Sequence, residues 1–356
     1  MLATLPSELL GIVIGQTVSR RDLKHLCEVC KRLHDIVTPH LYRSLILSAP
    51  ELSLKDLVAI LETIPSKYLK YTQDFGFSVP IHERVESRCV HHSSNEPFID
   101  ETLQDGLAKY LTNGGNMGSE DLDDADKCSV DLVQFRDLRS LAWKGLNRYN
   151  DFESVRECME VHGHQIQSLT LDLLTWDRAE EIWAYGFLHQ TLQRAKVPDN
   201  FFSERVLNIH PRDRKVTFSS LENLHLSAVS FYHAAMEMAH AFNIERLNSL
   251  KLRNCPGSLH WLQMILDSRK PMKLKSLELA LDLNSLQRDT RVHITETICN
   301  FIYHVPSLES LYLMLPEPID WTALTERLST HCQLKRFVMH HLVDRGGQNL
   351  IDGDIL

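Results

Sequence analysis

One six-residue phrase returns seven times along this chain and limits its possible folds more than any other feature. The copies are LRSLAW from Leu138, IQSLTL from Ile166, LENLHL from Leu221, LNSLKL from Leu247, LKSLEL from Leu274, LESLYL from Leu308 and LKRFVM from Leu334. Successive copies start 28, 55, 26, 27, 34 and 26 residues apart. With 55 taken as two periods, the unit falls near the range of about 20 to 29 residues in which a strand and a helix stack into arrays. Apolar and polar residues alternate within each phrase, so one face of the strand is greasy and the other is not. Between the phrases, apolar residues recur at helical spacing: Phe152, Val155 and Met159; Phe231, Ala235, Met238, Ala239 and Phe242; Leu259, Leu262 and Leu266; Ile294, Ile298, Phe301, Ile302 and Val305; Trp321, Leu324 and Leu328. Each unit is strand, loop, helix, and buries its apolar face only by stacking on its neighbours.

These repeats are similar to leucine-rich repeats, and predict an α/β solenoid of about seven to nine irregular units with a parallel sheet lining its concave side. The 55-residue interval should hide one more unit, with its strand in RVLNIHPRD, Arg205 to Asp213. Upstream, a strand over Leu69 to Phe77 and a helix over Glu101 to Leu111 are expected as divergent first units. Residues 112–131, TNGGNMGSEDLDDADKCSVD, combine glycine and acid without apolar periodicity, which predicts a disordered surface loop. The segment from 343 to 356 is expected as a mobile tail whose Ile355 and Leu356 are placed to cap the last unit.

The other informative stretch is Leu5 to Leu47. It is too apolar for its length to stand alone, which suggests a docking module. Pro6 precedes a run of Leu9, Leu10, Ile12, Val13 and Ile14, a helix with proline near its first turn that ends at Gly15. A second helix is expected from near Asp22 toward Pro39. Leu23, Leu26, Val29, Leu33, Ile36 and Val37 share one side of it, and Lys24, Glu28, Lys31, Arg32 and Asp35 the other.

LPSELL, RRDLKHLCEVCKRLHDI and PHLYRSLIL, in this order and spacing, resemble an F-box of fungal type. The resemblance covers about an eighth of the chain, and the link GQTVSRRD is slightly long for the family. It implies residues 1–46 as an F-box, and the repeats place the solenoid over residues 47–342. It also implies binding to a Skp-type adaptor, and through that to a cullin. By position, the adaptor-contacting residues are Leu5, Pro6, Leu9, Leu10, Leu23, Val29, Cys30 and Leu33. The implied function is the substrate receptor of a Skp-cullin-F-box ubiquitin ligase, a non-catalytic subunit whose repeats bind an unidentified target protein. The alternative is a Skp-bound scaffold or inhibitor outside any ligase.

Other chemistry finds little support. His25, Cys27, Cys30 and His34 have zinc-ligand types, but helical spacing turns His25 away from the rest, so packing is the expected role of the cysteines. Cys255 stands where leucine-rich repeats favour a buried Asn or Cys. GGNMG at 114–118 lacks the Walker lysine, and neither a G-x-S-x-G elbow nor an HExxH pair occurs, so neither a catalytic residue nor a cofactor is expected. The net charge of −9 owes five charges to Glu120, Asp121, Asp123, Asp124 and Asp126, and the balance argues against nucleic acid as partner. No apolar run reaches membrane-spanning length, and the eight cysteines are scattered, so the expected setting is cytoplasm or nucleus, with no membrane partner.

Strand periodicity also predicts a shared face. Ser140, Ala142, Lys144; Ser168, Thr170, Asp172; Asn223, His225, Ser227; Ser249, Lys251, Arg253; Ser276, Glu278, Ala280; Ser310, Tyr312, Met314; and Arg336, Val338, His340 should all point away from the leucines. Within this face Lys251, Arg253, Glu278, Tyr312, Met314 and Arg336 have the residue types of protein-contact hot spots, which places target binding on the repeats from Leu247 to His340.

Overall fold

The computed structural model describes residues 5–17, 19–48, 54–78, 130–146, 149–173, 200–211, 214–232, 234–281, 294–316, 320–329, 331–345 and 348–351. The helix expected at Glu101 to Leu111, the acidic run and the GGNMG segment lie outside them.

The chain opens with three helices, α1 (Ser7–Gly15), α2 (Arg20–Val29) and α3 (Lys31–Leu41). The single helix expected from Asp22 to Pro39 is thus two helices, broken at Cys30, whose backbone is extended (φ −162°, ψ 161°). The break has a physical reason. A continuous helix would carry its leucines along a rod with nothing to cover them, whereas folding α3 back on α2 gathers Leu23, Leu33 and Val37 with Leu10 and Ile14 of α1 into one core. Cys27 and Cys30 pack at its edge. The Ser19 side chain caps α2 by accepting from the Asp22 amide at 3.3 Å. α3 continues through Pro39 to Leu41. This helical core is separate from the main one.

Beyond it lies one ten-stranded sheet in strict sequence order: β1 (Ser44–Ser48), β2 (Asp74–Ser78), β3 (Ser140–Leu146), β4 (Ser168–Leu173), β5 (Asn223–Ser227), β6 (Ser249–Arg253), β7 (Ser276–Ala280), β8 (Ser310–Pro316), β9 (Arg336–Arg345) and β10 (Gln348–Ile351). The first nine pair in parallel, and β10 is antiparallel to β9. β1 and β10 are its two edges, so the sheet does not close. All seven phrases form strands, in one register. Leu141, Leu169, Leu224, Leu250, Leu277 and Leu311 stand in one row, and Trp143, Leu171, Leu226, Leu252, Leu279 and Leu313 in the next.

Parallel neighbours need a crossover, and the helices supply it: α4 (Leu54–Glu62), the single turn α5 (Ser66–Leu69), α6 (Tyr149–His162), α7 (Ala235–Ala241), α8 (Ser258–Asp267), α9 (Ile294–Tyr303) and α10 (Trp321–Leu328). α7 through α10 pack successively on one another. Their apolar sides, including Met238, Leu259, Leu262, Ile298, Ile302 and Leu324, share a continuous core with both leucine rows. The upstream strand expected over Leu69 to Phe77 is shorter, because Leu69 ends α5 and β2 begins only at Asp74.

Two further expectations fail. β4 pairs directly with β5, so the 55-residue interval adds no strand to the sheet. Where Arg205 to Asp213 was expected to be extended, Phe201–Val206 forms a π-helical turn and Asn208 has a left-handed φ of 54°. Val206, Leu207 and Ile209 are all buried, and two adjacent buried residues do not suit a strand with one covered face. Of the expected tail from 343, residues 343–345 end β9 and residues 348–351 form β10, antiparallel to it, and Ile355 and Leu356 lie outside the described residues.

Candidate functional site

Two surfaces stand out. On α1, Leu10 and Ile14 lie one turn apart and point into the helical core, where both are buried. Leu9, Ile12 and Val13 occupy the opposite side, 49%, 63% and 50% exposed. Spacings of three and four residues put these three on one face, an apolar row that nothing described covers. Arg32 ties the start of α3 to the start of α1, donating to the Leu5 carbonyl at 2.6 Å and reaching the Ser7 hydroxyl at 3.4 Å. Val29, at the corner between α2 and α3, is exposed as well.

The residues expected to contact an adaptor therefore separate into two groups. Pro6, Leu9 and Val29 are exposed, and Leu5 and Cys30 are half-buried. Leu10, Leu23 and Leu33 are in the unit's own core, and a side chain without accessible surface has none left to bury against a partner. Ile12 and Val13 were not among the expected contacts. The signal for them was present in LLGIVIG, a run too apolar for a helix with one covered face.

The second surface is the uncovered side of the sheet. All the residues assigned to it by periodicity lie on it, in three rows across the strands. The first row includes Ser140, Ser168, Asn223, Ser249, Ser276, Ser310 and Arg336, the second Ala142, Thr170, His225, Lys251, Glu278, Tyr312 and Val338, the third Lys144, Asp172, Ser227, Arg253, Ala280, Met314 and His340. Register brings Lys251, Arg253 and Glu278 together. The Glu278 carboxylate accepts from Arg253 Nε at 2.5 Å and pairs with Lys251 Nζ at 3.5 Å. Tyr312 stands opposite Glu278 and Met314 opposite Ala280 on the next strand, with the Tyr312 ring 5.5 Å from that of His340. Arg336 does not join this group. It lies in the first row, three strands from Arg253, or roughly 14 Å at the usual strand spacing.

His225, a face residue by periodicity, is a junction in the structure. Its Nδ1 lies 3.4 Å from Thr170 Oγ1 and its Nε2 3.1 Å from Ser249 Oγ, linking three strands. Burial, then the Lys251 charge, lowers its pKa to about 4, so the ring is neutral at pH 7. Cys255, by contrast, is wholly buried, its thiol pushed up to about 12 by burial and donating to the Leu226 carbonyl at 3.4 Å. No group of three or more His, Cys, Asp or Glu among the described residues is placed to hold a metal ion, and no helix among them is long and apolar enough to cross a membrane. Comparison with protein-family models gives no match, and neither does comparison with curated proteins.

Proposed function

We propose that the chain is the substrate-recognition subunit of a Skp-cullin-F-box ubiquitin ligase, with an F-box at its N-terminus docking on the Skp adaptor and leucine-rich repeats holding the target protein. The observation that carries this is the second apolar face of α1. Leu9, Ile12 and Val13 stand outward on a small helical unit with its own core, a costly arrangement for a surface that meets only water. The reading accords with the three sequence blocks. It also accords with a long sheet face, separate from the helices, that mixes small polar residues with Tyr312, Met314 and Arg253. In such an assembly this chain needs no reactive residue: tethering a target near a charged ubiquitin-conjugating enzyme raises its effective concentration, and the rate follows from that.

Leu9→Asp with Val13→Asp tests the docking. Both positions are exposed, so the variant should fold as wild type, yet a charge buried at the interface should weaken adaptor capture by a hundredfold or more, roughly. Capture at wild-type level would end the proposal. Comparing protein half-lives in cells with and without the gene tests the rest, since a receptor's target accumulates on deletion and a scaffold's partner does not.

A further inference from the structure

On β6 and β7 the uncovered sheet face holds one carboxylate between two cations. Glu278 is 12% exposed while Arg253, which it binds, is 57% exposed. Exposed ion pairs contribute little to stability, and here the charges do not balance. Over the three register rows from β3 to β9 the charged residues are Lys144, Lys251, Arg253 and Arg336 against Asp172 and Glu278, four cations against two anions. His225, beside Lys251, is neutral and offsets nothing. Glu278 engages Arg253 through Nε, which fixes the plane of the guanidinium. Among the described residues, the two Nη atoms have no hydrogen-bond partner, and they form the parallel pair of donors that suits a carboxylate. On the β8 side Tyr312 and Met314 present an aromatic ring and a thioether.

We propose that this face recognises an acidic side chain within an extended peptide segment of the partner, Arg253 taking the carboxylate through its Nη pair while Tyr312 and Met314 cover an adjacent apolar residue. Assigning that peptide to a ubiquitylation target rests on the receptor reading; the preference for acid does not. The ligand is an Asp or Glu side chain. A chain terminus and a phosphate offer related oxygens but different charge and geometry.

The probe is a set of acetylated, amidated nonapeptide pools with random flanks, offered to the full chain while adaptor capture is measured in parallel. One pool has Asp or Glu at its centre and the other Asn or Gln. The acid pool should be retained roughly tenfold better, the difference between a charged and a neutral bidentate partner. Arg253→Gln should abolish the preference, and Arg253→Lys, which keeps the charge without the fork, should restore only part of it. Equal retention of the two pools, or an undiminished preference in Arg253→Gln, would overturn the proposal. So would better retention of a pool carrying central phosphoserine, or only a free C-terminal carboxylate. Lost preference with normal adaptor capture counts against this site alone. Failed capture with the preference intact counts against the receptor reading alone.

Discussion

At the scale of single residues, His225 ties stability to pH. Its folded pKa of about 4 lies below its ordinary value of 6.5, so between those values the unfolded chain takes up a proton that the folded chain does not. Stability should therefore be full above pH 6.5 and decline as pH falls toward 4. His225→Gln retains a donor and an acceptor for Thr170 and Ser249 but does not titrate. Melting temperatures measured across that window should fall less steeply for the variant than for wild type. Identical slopes would mean that the folded protein accepts the proton freely. Gly257 bears on stability alone. It has a φ of 75°, and a Cβ there would lie 3.0 Å from the Tyr232 amide nitrogen and 3.1 Å from its ring. Gly257→Ala should cost about 1–3 kcal/mol in urea unfolding, for the strained backbone together with the crowding.

At the scale of elements, α1 separates two roles that one apolar run had merged. Leu10→Ala removes a buried side chain from a small core and should destabilise the helical unit by about 2–5 kcal/mol. Leu9→Ala should change its stability by no more than about 0.5 kcal/mol. Exchange rates of the α2 and α3 amides would read both, and equal effects would contradict the two-faced helix. The same element shows what sequence makes legible. Alternation in a strand is local, so the leucine rows and the polar face opposite them could be read residue by residue. Which side of α1 lies inward could not, because LLGIVIG is apolar all round and the choice is made by Leu23, Leu33 and Val37 of other helices. The break at Cys30 escaped for the same reason, since Leu23 to Val37 keep helical periodicity across it and only tertiary burial rewards the fold-back. In the 55-residue interval, a period alone could not tell a hidden strand from a long crossover. At the sheet face, periodicity gathered Lys251, Arg253 and Glu278 on one side, but their joining as an ion triad and the exclusion of Arg336 depend on strand register.

At the scale of the whole molecule, each strand meets only its neighbours in sequence, so stability should be distributed as in a one-dimensional array. The interior units are flanked on both sides by others, whereas among the described residues only β10 follows β9. Phe337 continues the row of Leu311 and Leu277, yet is 40% exposed, because among the described residues no helix follows β9 to cover it. β9 and β10 should therefore open first, and amide exchange should be fastest there and slowest in β4 to β7. A core truncation makes the test sharper. Leu279→Ala, in the middle of the row, should speed exchange in β6 and β8 as well as in β7, because its lost contacts support both neighbours. Phe337→Ala should leave β4 to β7 unchanged and affect only the last strands. Exchange that rose equally in all strands for both variants would show that the array unfolds as one cooperative body, and the nearest-neighbour account of its stability would have to be abandoned.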